Sequence, residues 1–301
     1  MSDASLQRLE HHPPLWLSGL ELLKPVTWFP PMWAFACGVV ASGVSISARW
    51  QFLVGGVLLA GPFLCGTSQV VNDWFDRHVD ALNQPDRPIP SGRIPGRWGL
   101  YLAVIWSVLS MLVACLFGYW VFAASSVGLL LAGVYCAPLL RLKRNGWFGN
   151  AAVGICYESL PWFTAVAAMT GLQPDLRNVL VLLCYGFGAH GIMTLNDFKS
   201  IDGDRAMGLK SIPALYGPAN AARLACVMMA LPQAVVITLL WQWQLPGYAL
   251  GVGIVLLGQC MLMPRLLSNP LRYAPWYNAT GIALYVSGMM ISAFALRGLI
   301  A

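Results

Sequence analysis

Charged residues are scarce in this sequence. Lys, Arg, Asp and Glu together make up 10% of the 301 residues, while hydrophobic residues make up 58%. Soluble domains carry about 25% charged residues, so this composition excludes an ordinary soluble domain. It indicates a polytopic membrane protein.

Paired cysteines and clustered basic residues are also missing. The eight cysteines stand singly in apolar segments without a Cys-x-x-Cys pair, so they indicate small buried hydrophobic residues and not a disulfide framework. No basic stretch alternates with aromatic residues as single-strand binders require, which disfavours a nucleic acid partner. The net charge of +6 is better explained by membrane topology.

Long apolar runs predict about nine membrane-spanning helices, because a helix of about 20 residues crosses a bilayer. With the N-terminus in the cytoplasm, 15 of the 18 Lys and Arg residues fall on the cytoplasmic side. This asymmetry predicts an N-in, C-out orientation. We expect a cytoplasmic segment at 1–24 and a single transmembrane domain at 25–301. The predicted spans are 27–47, 52–74, 99–118, 120–140, 149–170, 178–198, 219–242, 246–267 and 278–297.

Four of the 12 acidic residues fall within 14 positions, where the second apolar run ends. If the helix continues, Asn72, Asp76 and Asp80 lie at i, i+4 and i+8, with Asp73 beside them. One face then carries three carboxylates and an amide. Carboxylates this close repel one another unless they hold a cation, and oxygen ligands suit Mg²⁺ best. The alternative is a solvated acidic loop.

A second acidic segment echoes the first. Residues 196–198 repeat the Asn-Asp-aromatic order of residues 72–74, also at the cytoplasmic end of a predicted helix, and Asp202 and Asp204 follow. Seven of the 12 acidic residues lie in these two segments. They predict two acidic faces that hold one or two Mg²⁺ ions and, through them, a diphosphate. The basic residues expected to bind the diphosphate are Arg77, Arg87, Lys143, Arg144 and Lys199.

These motifs resemble a known family. Residues 72–80 are similar to the NDxxDxxxD motif of the UbiA superfamily of intramembrane prenyltransferases. Asp197 and Asp204 match that family's DxxDxxxD motif, but Ser200 replaces the middle aspartate, and Asp202 is the residue that could compensate. Longer stretches resemble the chlorophyll and bacteriochlorophyll synthase branch of the family: 23–35, 76–101, 141–147, 157–163, 188–205 and 274–281.

The resemblance implies a ring of nine helices around a membrane-embedded cavity. It implies Mg²⁺-dependent transfer of a geranylgeranyl or phytyl group from its diphosphate to bacteriochlorophyllide a. The expected location is the bacterial inner membrane, cytoplasmic or intracytoplasmic, with the site facing the cytoplasm. Other proteins of pigment biosynthesis or photosystem assembly are further expected partners. The expected metal ligands are Asn72, Asp73, Asp76, Asp80, Asp197, Asp202 and Asp204, and the expected catalytic residues are Asp73, Asp76, Lys143 and Tyr157.

The chemistry requires a cavity that shields an allylic cation from water. Aromatic walls would serve this purpose and stabilise positive charge. The acceptor is a propionate with a pKa of about 4, so it is already ionised at neutral pH. No general base is then required, which agrees with the lack of a His-Asp or Ser-His arrangement. The aromatic residues expected at the wall are Trp74, Phe75, Tyr157, Trp162 and Phe187.

Three polar residues inside predicted helices have two interpretations each. Glu158 is either functional or a neutral carboxyl group bonded to a neighbouring helix. Tyr157 either points at the diphosphate and the cation or only packs. His190 either lines the cavity, where it could ligate the magnesium of the macrocycle, or is a packed, hydrogen-bonded histidine.

Two other functions compete with this interpretation. A quinone- or haem-directed prenyltransferase would use the same metal chemistry with another acceptor. A transporter or a pigment-binding protein belongs to a different class. A transporter would carry its charged residues near the bilayer midplane, whereas here they lie at one interface. A pigment-binding protein would need several histidines in apolar helices, and only His190 qualifies.

Overall fold

The structure is a computed structural model that describes residues 15–300, apart from the side chain of residue 300. Most of the predicted cytoplasmic segment, 1–24, therefore lies outside the described residues. Its described part forms helix α1, Leu15–Leu23. The boundary between this segment and a domain at 25–301 stays a prediction.

Ten further helices follow α1, and the apolar runs of the sequence account for the long ones. Short loops join most of them, as expected for neighbours in a helical membrane protein. The helices are α2 Phe29–Ala41, α3 Trp50–Asn83, α4 Trp98–Leu116, α5 Tyr119–Cys136, α6 Gly146–Thr170, α7 Leu176–Asn196, α8 Ile201–Ala206, α9 Ile212–Gln242, α10 Pro246–Ser268 and α11 Pro270–Ile300.

Within residues 15–300, eight helices are long and apolar enough to cross a membrane, with α7 and α8 counted together as one. The first predicted span, 27–47, is not among these eight and corresponds to α2, which has only 13 residues. This helix ends at Ala41 because the chain turns at Gly43, whose φ of 72° is a conformation that glycine adopts without strain. The N-in, C-out orientation stays a prediction.

The helices form a ring, as predicted. Each long helix packs against the next along the chain, and α11 returns to α2. At this closure the Trp33 indole donates a hydrogen bond to the Val286 carbonyl, with 3.0 Å between them. Small residues allow the closest approaches: Gly154 of α6 faces the Gly186 carbonyl of α7, where any larger residue would clash.

Two helices contain a π-helical segment: Leu59–Cys65 in α3 and Ile155–Ser159 in α6. Pro62 lies inside the first, and Pro161 lies two residues after the end of the second. Proline lacks an N–H group and clashes with the preceding turn, so a wider turn accommodates it. The two segments lie side by side, because the Cys65 Sγ lies 3.6 Å from the Tyr157 hydroxyl.

Candidate active site

The two acidic segments, distant in sequence, line one polar cavity of about 240 Å³. Asn72 and Asp76 reach it from the last turns of α3. Asp197 lies in the 3₁₀ turn that follows α7, and Asp204 lies in α8. The two acidic faces therefore meet across a shared space. The cavity is completed by Tyr135, Lys143, Gly146, Gly149, Asn150, Ser200, Leu209 and Ser211.

Lys143 is the cation of this cavity. Its ammonium group donates to the Asp76 carboxylate and to the amide oxygen of Asn72, which lies 3.2 Å away. The Arg141 guanidinium lies 3.4 Å from the other oxygen of Asp76. Asn72 and Asp76 are one helical turn apart, so a single ammonium group can bridge them.

Backbone hydrogen bonds fix the loop that carries Lys143. The Gly146 N–H donates to the Lys210 carbonyl over 2.8 Å, and the Lys210 N–H donates to the Arg144 carbonyl over 2.9 Å. A Cβ atom at Gly146 would lie 2.7 Å from the Ile212 nitrogen, so only glycine permits this approach. The loop after α5 is thus joined to the loop after the second acidic segment.

The last carboxylate of the second segment is held by two hydroxyl groups. Ser211 and Ser200 both donate to Oδ2 of Asp204, over 2.6 Å and 3.0 Å. Nearby, the Asn150 amide donates to the Thr194 hydroxyl over 3.3 Å. The bond between Asn150 and Thr194 connects α6 with α7 next to the cavity.

The remaining acidic residues of α3 have other partners. Lys24 donates to Oδ1 of Asp73 over 2.6 Å, and Arg87 contacts both Asp73, at 3.4 Å, and Asp80, at 2.7 Å. Asp73 is only 2% exposed, and its buried Oδ2 has no hydrogen-bond partner among the residues that the structure describes. The predicted face of α3 is therefore divided: one edge serves the cavity and the other pairs with Lys24 and Arg87.

The polar cavity continues into a narrow passage between α3, α5 and α6. A space of about 230 Å³ shares Asn72 and Tyr135 with the polar cavity, and it reaches Tyr157. It then shares Tyr157 with an apolar space of about 50 Å³ that extends to Gly128 and Leu160. The path thus leads from charged groups to an almost entirely apolar end.

Tyr157 lines this passage. Its hydroxyl accepts a hydrogen bond from the Gln69 amide over 2.9 Å. Gln69 lies one turn before Asp73 on α3, so Tyr157 is connected to the turn that carries the first motif. The structure does not bring the hydroxyl into the polar cavity itself.

Besides Asp73, Asp80 and Arg87, four further predicted diphosphate or metal residues lie away from the cavity. Lys199, Arg144 and Asp202 are exposed. The Arg77 guanidinium donates to its own helix at the Trp74 carbonyl and stacks 4.0 Å above the Trp74 ring. In residues 15–300, only Lys143 of the predicted phosphate-binding residues lines the polar cavity.

The predicted aromatic wall is also only partly formed. Trp162 is fully buried in the core, where its indole donates to the Asn178 side chain over 3.0 Å. Phe187 is 53% exposed. Trp74 and Phe75 face α4 along a separate shallow groove. For Trp162 and Phe187, helical periodicity alone could not tell the inner face from the outer one, because α6 and α7 are largely apolar on all sides.

His190 and Glu158 are buried, at 4% exposure each. The His190 ring lies against Trp147, with 5.1 Å between ring centroids, and neither ring nitrogen has a hydrogen-bond partner. Both interpretations of His190, as a cavity residue and as a packed histidine, stay predictions. Among residues 15–300, Oε2 of Glu158 also has no hydrogen-bond partner, and both interpretations of this residue stay predictions.

Several residues of the site were missed by sequence reasoning. Tyr135 and Asn150 line the cavity but look like ordinary helix residues. Lys24 and Arg141 pair with the first motif, and both have positive φ, at 47° and 43°. Their only sequence signal is that each follows an apolar run on the side of the motifs.

The oxygen donors of the cavity suit Mg²⁺, which prefers carboxylate and amide oxygens. Asn72, Asp76, Asp197 and Asp204 supply them. Within the described chain, no three His, Cys, Asp or Glu side chains already lie close enough to hold a metal ion. Lys143 instead neutralises Asp76, so metal binding at these oxygens requires the ammonium group to move aside or to share the carboxylate.

Comparison with known proteins identifies the family. The UbiA prenyltransferase family matches residues 28–272. The chain belongs to this family. It is 52% identical to the bacteriochlorophyll synthase 33 kDa chain of Cereibacter sphaeroides and 53% identical to that of Rhodobacter capsulatus, with 93% of each chain covered in both comparisons.

A solved UbiA structure has the same fold. The UbiA homologue from Archaeoglobus fulgidus, bound to DMAPP and Mg²⁺, superposes with a TM-score of 0.64 at 19% identity, over 94% of this chain and 99% of that one. The predicted UbiA-type ring is therefore confirmed. The protein is an integral, multi-pass membrane enzyme of the prenyltransferase class, which decides against a transporter or a pigment-binding protein.

Proposed function

We propose that this protein transfers a geranylgeranyl or phytyl group from its diphosphate to the propionate of bacteriochlorophyllide a. The relatives named bacteriochlorophyll synthase support the acceptor. The convergence of both acidic segments on one polar cavity, continuous with an apolar passage, carries the donor assignment. A diphosphate fits the polar end, and an isoprenoid chain fits the narrow passage.

The reaction requires no group from the protein to take a proton. One carboxylate oxygen of the acceptor forms a bond to C1 of the prenyl group, while the bond from C1 to the diphosphate oxygen breaks. The leaving diphosphate keeps the bonding electrons. The ionised acceptor needs no base, so the tasks of the protein are to bind, to neutralise charge and to exclude water.

Mg²⁺ would be held by the oxygens of Asn72, Asp76, Asp197 and Asp204. When bound, it would neutralise the charge that develops on the leaving diphosphate. Lys143 donates to the same cluster and would contact a diphosphate oxygen. Binding of a UbiA homologue to DMAPP and Mg²⁺ supports this assignment. Asp73 and Asp80 would then stabilise Lys24 and Arg87 beside the cavity.

The isoprenoid chain would lie in the passage between α3, α5 and α6. Its walls near the polar cavity include Tyr135 and Tyr157, whose rings would face the allylic end of the chain. Aromatic faces stabilise positive charge that develops there. Farther in, small residues such as Gly128 leave room for the tail.

The experiment uses membranes containing the full chain, Mg²⁺ and geranylgeranyl diphosphate. Bacteriochlorophyllide a, a quinone precursor and haem are supplied separately, and chromatography detects a more hydrophobic product. We expect esterified pigment only with bacteriochlorophyllide a. Prenylation of another acceptor instead would overturn the assignment in favour of a quinone- or haem-directed enzyme.

Two variants test the first acidic motif. Asp73→Ala and Asp76→Ala should each abolish turnover while the protein still inserts and unfolds cooperatively on heating. Calorimetry supplies a readout independent of turnover, since binding of geranylgeranyl diphosphate should require Mg²⁺ in the wild type and lose this dependence in Asp76→Ala. Near-normal activity in both variants would be incompatible with a metal role for the first motif.

The membrane location and the orientation of the enzyme belong to the same proposal. The chain would lie in the bacterial inner membrane, with the polar cavity at the cytoplasmic surface where the positive-inside rule places both motifs. Cysteine substitutions in exposed loops, labelled from one side only, test the orientation. Association with other proteins of pigment biosynthesis or photosystem assembly stays a prediction.

A further inference from the structure

The stretch 274–281, one of those that resemble the chlorophyll and bacteriochlorophyll synthase branch, lies on α11 and does not line the polar cavity. One of its side chains nevertheless contacts the second acidic motif. The Asn278 amide of α11 donates a hydrogen bond to the side-chain oxygen of Asn196, with 2.8 Å between them. The two residues are 82 positions apart, so this bond joins α11 to the end of α7.

Asn196 is the last residue of α7, and Asp197 begins the 3₁₀ turn that follows. The two side chains therefore leave the same turn of backbone, where the Asp197 N–H still bonds to the Met193 carbonyl. A bond that holds Asn196 fixes the rotation of this turn. It thereby fixes the direction in which the Asp197 carboxylate leaves the backbone.

The Asp197 carboxylate needs such support. It lies at the C-terminal end of α7, which is the negative end of the helix dipole. It also shares the polar cavity with Asp76 and Asp204, whose negative charges repel it. Asp204 is restrained by the hydroxyl groups that donate to it. Asn278 supplies the corresponding restraint on the turn of Asp197.

The first motif is held in the same way. The side-chain oxygen of Asn72 accepts a hydrogen bond from Lys143 over 3.2 Å, as that of Asn196 accepts one from Asn278. Asn72 and Asn196 are the first residues of the Asn-Asp-aromatic order in the two motifs. Each motif is thus held at its first residue by a donor from a distant part of the chain.

The helix that carries Asn278 is a firm support. The buried Tyr285 hydroxyl of α11 donates to the Tyr185 carbonyl of α7 over 2.6 Å. The Trp33 indole of α2 donates to the next carbonyl on α11, that of Val286. Both bonds lie about two turns from Asn278. Groups on rigid elements are held more precisely than groups on loops, so Asn278 can fix the end of α7.

We propose that Asn278 is a positioning residue for prenyl transfer, whose hydrogen bond to Asn196 directs the Asp197 carboxylate toward Mg²⁺ and the diphosphate. The inference rests on the proposed function, because it concerns the metal ion of that reaction. Asn278 does not line the polar cavity, so it acts through the last turn of α7.

The inference is tested by calorimetry on the purified full chain, which measures binding of geranylgeranyl diphosphate at increasing Mg²⁺. Asn278→Ala should raise the Mg²⁺ concentration for half-maximal binding about fivefold, the effect of losing one hydrogen bond. The KM for bacteriochlorophyllide a at saturating Mg²⁺ should stay unchanged. A misfolded fraction lowers the number of binding sites but not this Mg²⁺ concentration. An unchanged Mg²⁺ requirement in Asn278→Ala would overturn the proposal.

Two variants on α11 separate the hydrogen bond from other effects. Ser287→Ala is the matched control, because the exposed Ser287 hydroxyl bonds only within its own helix, to the Ala283 carbonyl, and its loss should not change the Mg²⁺ requirement. Asn278→Leu keeps a side chain of similar size but has no donor. It should raise the Mg²⁺ requirement as much as Asn278→Ala does, and a value equal to that of the wild type would overturn the role of the bond.

A double variant tests the route through Asn196. If Asn278 acts only by holding Asn196, the combination of Asn196→Ala with Asn278→Ala should need no more Mg²⁺ than the more affected single variant. Independent effects would multiply instead to about 25-fold. That result would overturn the proposed route.

The two levels of the proposal fail differently. Binding of the diphosphate without any need for Mg²⁺ in the wild type would overturn the metal assignment of the proposed function, and this role of Asn278 with it. If binding depends on Mg²⁺ in the wild type and equally in Asn278→Ala, the proposed function stands and only the role of Asn278 is wrong.

Discussion

Ser200 donates a hydrogen bond to Asp204, with 3.0 Å between Oγ and Oδ2. Ser200 stands where the family motif has its middle aspartate. The hydroxyl group therefore orients an existing carboxylate instead of adding another one. The second motif carries less negative charge than the family pattern, and its last carboxylate relies on Ser200 and Ser211 for position.

Removing this hydroxyl group should lower the catalytic efficiency modestly. Ser200→Ala should lower kcat/KM for geranylgeranyl diphosphate about fivefold, the value of one hydrogen bond worth about 1 kcal/mol. Ser200→Thr keeps a hydroxyl group at this position and should retain activity. Steady-state kinetics of both variants check this, and equal activity of Ser200→Ala and the wild type would contradict it.

Lys143 and Arg144 are adjacent, but their variants should behave differently. Lys143→Met removes the charged partner of Asp76 and Asn72 and should lower kcat/KM by about 100-fold. Arg144→Met should stay within about twofold of the wild type, because exposed charges contribute little. Equal losses in both would show that Arg144 also reaches the diphosphate, as the sequence alone suggested.

The apolar end of the passage should set the length of the isoprenoid chain. Gly128 lines this end, and Gly128→Leu would fill much of the space of about 50 Å³. The KM for geranylgeranyl diphosphate should rise about tenfold, with little change for the shorter geranyl diphosphate. Gly133→Leu is the control, since a Cβ atom there has nothing within 4 Å. Equal effects on both donors would contradict this path for the chain.

Gly146 should be sensitive to a single methyl group. A Cβ atom added at Gly146 would lie 2.7 Å from the Ile212 nitrogen. Gly146→Ala should therefore destabilise the protein by about 1–3 kcal/mol and displace Lys143. Thermal unfolding in detergent and the KM for the diphosphate measure the two effects. Gly247→Ala, at a helical glycine with open space around it, should change neither. An unchanged unfolding temperature in Gly146→Ala would contradict the tight approach.

The helices and the two motifs could be predicted from the sequence because they depend on local patterns. The apolar run before Asp73 extends into a helix through Asn83, as the spacing of Asn72, Asp76 and Asp80 requires. The meeting of the two motifs was also predictable, because scarce acidic residues in a membrane protein occur where they have partners.

The partners of each carboxylate could not be predicted. Lys24 and Asp73 are 49 positions apart, and no local signal links them. The positions of the aromatic side chains could not be predicted for another reason. Trp162 and Phe187 lie on helices that are apolar on all sides, so the sequence does not distinguish a residue in the core from one that faces lipid. The π-helical segment at Ile155–Ser159 also shifts the register of the following helix, because its wider turn changes which residues face inward.

The backbone hydrogen bonds of Lys210 with Gly146 and Arg144 have a consequence for biosynthesis. Chains are made from the N-terminus, and early segments enter the membrane first. Asp73 and Asp76 therefore emerge from the ribosome before Lys210 exists to anchor the Lys143 loop. A nascent chain that stops before Lys210 carries a motif whose counter-charge is not yet fixed in place, so the catalytic centre matures only late in translation.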